Sequence, residues 1–125
     1  MAKRKVTSLT DVSEITCVVQ KGKADDIVQS LLDAGIQGAT VHSGVGTGIR
    51  ERMGLLGVAV EVEREIVQVL VSKDQVDRIF ERMYLAGRLD TPGMGYMYAA
   101  PLVQAATYIP AHLLEDKDSI SSMGM

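Results

Sequence analysis

The sequence predicts an α+β domain whose elements run strand, helix, strand, strand, helix, strand. Three observations carry this. Each half of the chain holds a β-branched run, an apolar pattern at helical spacing, then a second β-rich run. Both helical patterns end in Ala-Gly, at Ala34-Gly35 and Ala86-Gly87. The core has to be aliphatic, because hydrophobic residues make up 46% of the 125 but aromatics only 4%, with no Trp. Two strand–helix–strand units in series give the split βαβ, ferredoxin-like arrangement (βαββαβ): an antiparallel four-stranded sheet with both helices on one face.

Residues 1–13 are polar and mixed, and are expected to form a flexible arm. Residues 14–20 are dense in Ile, Thr and Val and read as the first strand. Lys21-Gly22-Lys23 turns the chain, and Asp25 or Asp26 supplies acidic helix-start chemistry. Ile27, Val28, Leu31 and Leu32 then recur on one helical face, which Gly35 ends. Residues 39–42 resume as a strand and run into a glycine loop, Gly44-Val45-Gly46-Thr47-Gly48. From Val58 the alternation has a period of two. A charged break at Glu63-Arg64-Glu65, read as a bulge, a tight turn or merely an exposed stretch, precedes the apolar run 66–71, a central strand. Asp74 is the expected N-cap of the second helix, with Val76, Ile79, Phe80 and Met83 on its core face and Gly87 as its stop. A second glycine loop, 87–95, precedes a last strand at 96–100. Thr107-Tyr108-Ile109 is expected to add an edge strand, and Pro110 to open a short helix. The domain is thus expected over 14–110, with a partly disordered tail over 111–125. Two short helices cannot cover both faces of such a sheet, so its open face calls for a partner and a homo-oligomer.

The net charge of −3 argues against nucleic acid as the partner. Lys3-Arg4-Lys5 reads as a solvated end. The single cysteine, Cys17, allows no internal disulfide and no multi-cysteine zinc site, and its place in a β-run makes it a small buried hydrophobe. No apolar run is long enough to span a bilayer and no signal peptide is evident, so a cytoplasmic location is expected.

Catalytic chemistry is thinly supported, and no enzyme is expected. His42 and His112 lie far apart with no partner at metal-ligand spacing, and no metal site is assigned. Ser43 precedes Gly44, but a nucleophile elbow needs a helix next. Glu61, Glu63 and Glu65 project from one strand face, a row that is either solvated or able to take a cation. Gly46 and Gly48 follow a strand but precede no helix, so neither a Walker loop nor a dinucleotide fingerprint is present. By itself this loop is as well read as a turn as a ligand loop.

The order of these motifs resembles the PII signalling family. The segment 23–31, then Gly35-Ile36-Gln37-Gly38-Ala39-Thr40-Val41, then Gly44-Val45-Gly46, is similar to the family's G-I-x-G-x-T-V stretch and the G-x-G opening of its long T-loop. Gly87-Arg88-Leu89 and Gly93-Met94-Gly95 are similar to its B-loop. The likeness spans about residues 15–109. It implies a homotrimer that binds an adenine nucleotide in clefts between subunits and signals to a protein partner, such as a transporter or an enzyme, through the T-loop. Carried over, Thr40 would contact the adenine, and Val69 and Leu70 would line the cleft. Gly46, Thr47, Gly48 and Arg50 would form the T-loop base, and Gly87, Arg88, Gly93, Met94 and Gly95 would wrap the phosphates.

Departures from the pattern are specific. The T-loop glutamine that serves 2-oxoglutarate is replaced in Gly48-Ile49-Arg50, and the loop to Val58 is short and lacks a tyrosine. Tyr96 stands where a basic residue follows the B-loop glycines, and the late arginine pair is replaced by Ala106-Thr107-Tyr108-Ile109. Each lost charge-assisted phosphate bond is worth about 1.5–3 kcal/mol, which shifts the expected effector from ATP toward ADP or AMP. Arg50 and Arg52 point to the inorganic-carbon-linked group and a small anion such as bicarbonate. A trimeric interaction module that needs no nucleotide is the alternative.

Overall fold

The structure, a computed structural model, describes residues 6–46 and 62–110. Its elements are β1 (Val12–Gln20), α1 (Ala24–Asp33), β2 (Thr40–Gly46), β3 (Val62–Ser72), a 3-10 turn (Lys73–Gln75), α2 (Val76–Ala86) and β4 (Gly95–Pro101). The sheet order is β2-β3-β1-β4, and every neighbouring pair is antiparallel. This is the expected βαββαβ arrangement.

Strand alternation builds the core. Ile15, Cys17 and Val19 of β1 and Val67, Val69 and Val71 of β3 are all buried. They cluster with Ile27 and Leu31 of α1 and with Ile79 and Met83 of α2. Burying each of these larger aliphatics stabilises the fold by about 1.5–3 kcal/mol. Their strand neighbours point the other way, onto a face the helices leave open, where Leu70, Tyr96 and Tyr98 are exposed.

Glu63, Arg64 and Glu65 do not break the third strand; β3 runs through them without interruption. The side chains of Glu63 and Glu65 find partners across the sheet's end, so their charge costs the strand little. The Glu65 carboxylate accepts the backbone N–H groups of Gly22 (2.5 Å) and Ala24 (3.2 Å), tying β3 to the start of α1. No side chain of α1's own N-cap, Lys23, does this. An anion at that end also complements the helix dipole, as do Asp25 and Asp26 in the first turn. Glu63 pairs with Lys21 at 2.8 Å on the surface, which lowers the Glu63 pKa and raises that of Lys21.

Asp74 is not the N-cap of α2. It lies in the 3-10 turn, where its carboxylate accepts the Ser72 hydroxyl at 2.7 Å, a bond that holds its pKa below the usual value. No strand forms at 107–109. The nearby chain instead makes an isolated bridge in which Leu9 and Ala105 exchange both backbone hydrogen bonds, at 2.7 and 2.8 Å. Residues Leu9 and Val12 are thereby held in order, and β1 starts ahead of Glu14.

The helix ends differ in kind. After α1, Gly35 takes φ 88°, with Ile36 N–H donating to Leu31 and Gly35 N–H to Leu32, the paired bonds of a Schellman cap. After α2 the same two bonds form, Leu89 N–H to Tyr84 and Arg88 N–H to Leu85, but the left-handed residue is Arg88, at φ 55°. Gly87 is therefore not the stop itself. It is glycine because a Cβ would sit 3.2 Å from both the Ile27 side chain and the Met83 carbonyl. At Gly95 the constraint is harder, since φ is 145° and a Cβ would lie 2.0 Å from the Val18 carbonyl oxygen.

Three outcomes follow for stability. Replacing Gly95 with Ala should lower the thermal midpoint sharply or prevent folding, because β4 would have to leave β1. Arg88→Gly should raise the midpoint by a few degrees, since a left-handed non-glycine residue costs about 1–2 kcal/mol, whereas Arg88→Ala should not. Burial pushes the Cys17 thiol up from 9.0 to about 11. Between those values the folded chain holds a proton that the unfolded chain releases, so stability should fall as pH rises from 9.0 to about 11. Denaturant melts over that range should show the slope in the native chain and lose it in Cys17→Ala.

Candidate functional site

The corner of the open face where β1 begins holds an open cavity of about 590 Å³. Cross-strand register puts its polar side chains there. Thr40 of β2 lies opposite Gln68 of β3, Gln68 opposite Thr16 of β1, and Glu14 opposite Leu70. The cavity is bounded by Thr40, Gln68, Val69, Leu70 and Ser72, with Val12 and Glu14 below and Leu9, Ala105, Ala106 and Thr107 forming a wall. The Leu9–Ala105 bridge fastens that wall. Leu70 is half exposed at 51%, an apolar surface available to a ring. The Glu14 carboxylate accepts the hydroxyl of buried Thr16 at 3.3 Å. Among the described residues lining the cavity, Glu14 is the one charged side chain and none is Lys or Arg.

Of the residues that the sequence assigns to ligand binding, Thr40, Val69 and Leu70 come together here. Gly87, Arg88, Gly93, Met94 and Gly95 do not join them. Their loop is built of consecutive turns, with Thr91 N–H donating to Arg88 and Met94 N–H to Thr91. The Gln20 side-chain amide donates to the Gly93 carbonyl at 2.9 Å and fastens the loop to the far end of β1. Val69 faces Ile15 in register and Gly95 faces Val19, so the two groups are separated by four residues of β1, about 13 Å along the strand. Tyr96 follows the loop and stacks on Tyr98, ring centroids 6.5 Å apart. Gly46 ends β2 opposite Val62. Thr47, Gly48 and Arg50 lie outside the described residues, as does Glu61.

Sequence reasoning missed Glu14, Gln68 and the Leu9–Thr107 wall. The parity of Glu14 with Thr16 already set both on one strand face. The pairing of Leu9 with Ala105 spans nearly the whole chain and leaves no local signal.

The comparisons fit this geometry. No curated protein matches the chain. Among solved structures, PII of Arabidopsis thaliana bound to citrate is similar to it with a TM-score of 0.60 and 22% identity over 74% of this chain and 78% of that one. The family model for nitrogen regulatory protein P-II matches residues 12–109, from the first residue of β1 past the cavity wall, and the chain belongs to that family.

Proposed function

We propose that this chain is a regulatory signalling protein that senses an adenine nucleotide, ADP or AMP in preference to ATP, in clefts between the subunits of a cytoplasmic homotrimer. Its short T-loop would carry the signal to a transporter or an enzyme, and the protein itself would catalyse nothing. The observation that carries this reading is the separation of the two glycine-flanked regions. One chain offers a ring-sized cavity at Thr40, Val69 and Leu70, while the turn-rich loop that carries Arg88 ends at Gly95, about 13 Å away along β1. A second copy bringing its loop 87–95 to the first copy's cavity would complete one site from two halves. The exposed Leu70, Tyr96 and Tyr98 on the open face give such copies an apolar surface to meet on.

Arg88 supports the phosphate half. It holds a left-handed backbone that glycine would occupy at less cost, and strain of that sort collects at functional positions. The citrate-bound state of the Arabidopsis relative supports a small-anion effector in addition, and bicarbonate is the one proposed here. A second reading, a trimeric docking module that needs no nucleotide, draws support from the absence of Lys and Arg among the described cavity-lining residues.

Calorimetric titration with ATP, ADP and AMP separates the two. Binding of ADP or AMP more tightly than ATP is expected, and a flat response to all three at millimolar concentration would sink the nucleotide reading. Arg88→Ala should weaken ADP binding about tenfold or more, whereas Arg78→Ala, on the exposed face of α2, should leave it unchanged. Sedimentation should give three copies per particle; a monomer at micromolar concentration would remove the shared cleft.

A further inference from the structure

We propose that Glu14 is the residue by which the cavity chooses its ligand. Its carboxylate accepts hydrogen bonds from the hydroxyl or amino donors of an uncharged ring-bearing group, and it turns phosphate away. The proposal rests on the nucleotide reading above and assigns which end of that ligand enters the cavity, and through which side chain.

Three observations lead to it. Glu14 projects from β1 onto the open face directly across from Leu70, so an acceptor and an exposed apolar side chain stand side by side at one cavity wall. The carboxylate is oriented by the Thr16 hydroxyl, itself buried, at 3.3 Å. That bond occupies one lone-pair direction of one oxygen, and a carboxylate has several more to offer a ligand. Among the described lining residues no cation neutralises it.

A flat ring resting on Leu70 with N–H or O–H donors beside it matches that lining, as a nucleoside does. A phosphate does not. Two like charges about 4 Å apart repel in any medium, and most strongly where water is displaced. A nucleotide is therefore held with its nucleoside inside the cavity and its phosphates directed out, toward a cationic group that this corner of the sheet does not supply. Affinity for the nucleoside alone becomes a property of the cavity, whereas affinity for phosphate belongs to whatever meets it at the mouth.

The test is calorimetric titration of the full chain and of Glu14→Gln with adenosine, AMP and inorganic phosphate. Glutamine keeps the size and an acceptor for Thr16, and matched thermal melts check that the fold is intact. Adenosine is expected to bind the native chain, and inorganic phosphate is expected not to displace it. Glu14→Gln should weaken adenosine and AMP by a similar factor, about tenfold or more. Glu14→Asp, with the charge kept but the reach shortened, should fall between the two. Purine riboside and 2′,3′-dideoxyadenosine identify the donor, because the analogue lacking it should no longer distinguish the native chain from Glu14→Gln. AMP binding that is equal in both proteins overturns the role of Glu14 and leaves the nucleotide reading standing. If the native chain binds neither adenosine, ADP nor AMP, the nucleotide reading falls and this proposal with it.

Discussion

The structure depends on the strict alternation of its two central strands. β1 pairs with β3 along its full length, from Val12 opposite Ser72 to Gln20 opposite Arg64. On one face this aligns Ile15, Cys17 and Val19 with Val67, Val69 and Val71, and that block is what the two helices cover. A shift of one residue in either strand would exchange core and open faces, placing Glu14, Thr16 and Gln68 under the helices. No partial accommodation of such a slip exists in a close-packed core. The same alternation that buries the valines therefore also delivers Glu14, Gln68 and Ser72 to the other face, where they line the cavity. Core and candidate site are two sides of one register.

Charge at the sheet's end serves that register too. Glu65 holds the start of α1 against β3, and Gln20 holds the loop 87–95 against β1. Glu65 lies near the start of β3 and Gln20 ends β1, and each side chain satisfies backbone groups of another element, donors in the first case and an acceptor in the second. Gly95 completes the arrangement from the opposite direction. It removes the Cβ that would separate β4 from Val18. The loop that carries Arg88 is thus fixed at both ends, by a helix cap on one side and by the tight start of β4 on the other.

The fold was largely legible because it rests on local signals. Period-two and period-3.6 patterning, Ala-Gly helix ends and the order of six elements do not require knowledge of distant contacts. At Asp74 the deciding contact is local, the Ser72 hydroxyl two residues back, but at two other places where the sequence misled it is non-local. Glu63-Arg64-Glu65 looks like an interruption until Gly22, Ala24 and Lys21 are seen across from it. Gly87 looks like the helix stop because glycine so often is one, whereas its role is to let Ile27 approach, and that contact spans sixty positions of sequence. The cavity was half legible: Thr40, Val69 and Leu70 follow from motif order. Glu14 and the bridge of Leu9 to Ala105 depend on register and on chain ends meeting, which no local window contains.

The separation of the cavity from the loop 87–95 has a consequence for how such a protein would signal. On the proposed reading, a ligand reaches from one copy's cavity to another copy's Arg88, and so binds only where two copies meet. Binding and assembly are then linked, and each strengthens the other by the same free energy. Neither half need bind tightly alone, because the second contact is made at high effective concentration once the first is in place. That relaxes the demand on any one phosphate contact, and it fits a cavity whose described lining holds no Lys or Arg. The fit of the nucleoside then carries the affinity that ATP, ADP and AMP have in common, and the choice among the three stays with the groups that meet their phosphates at the mouth of the cavity.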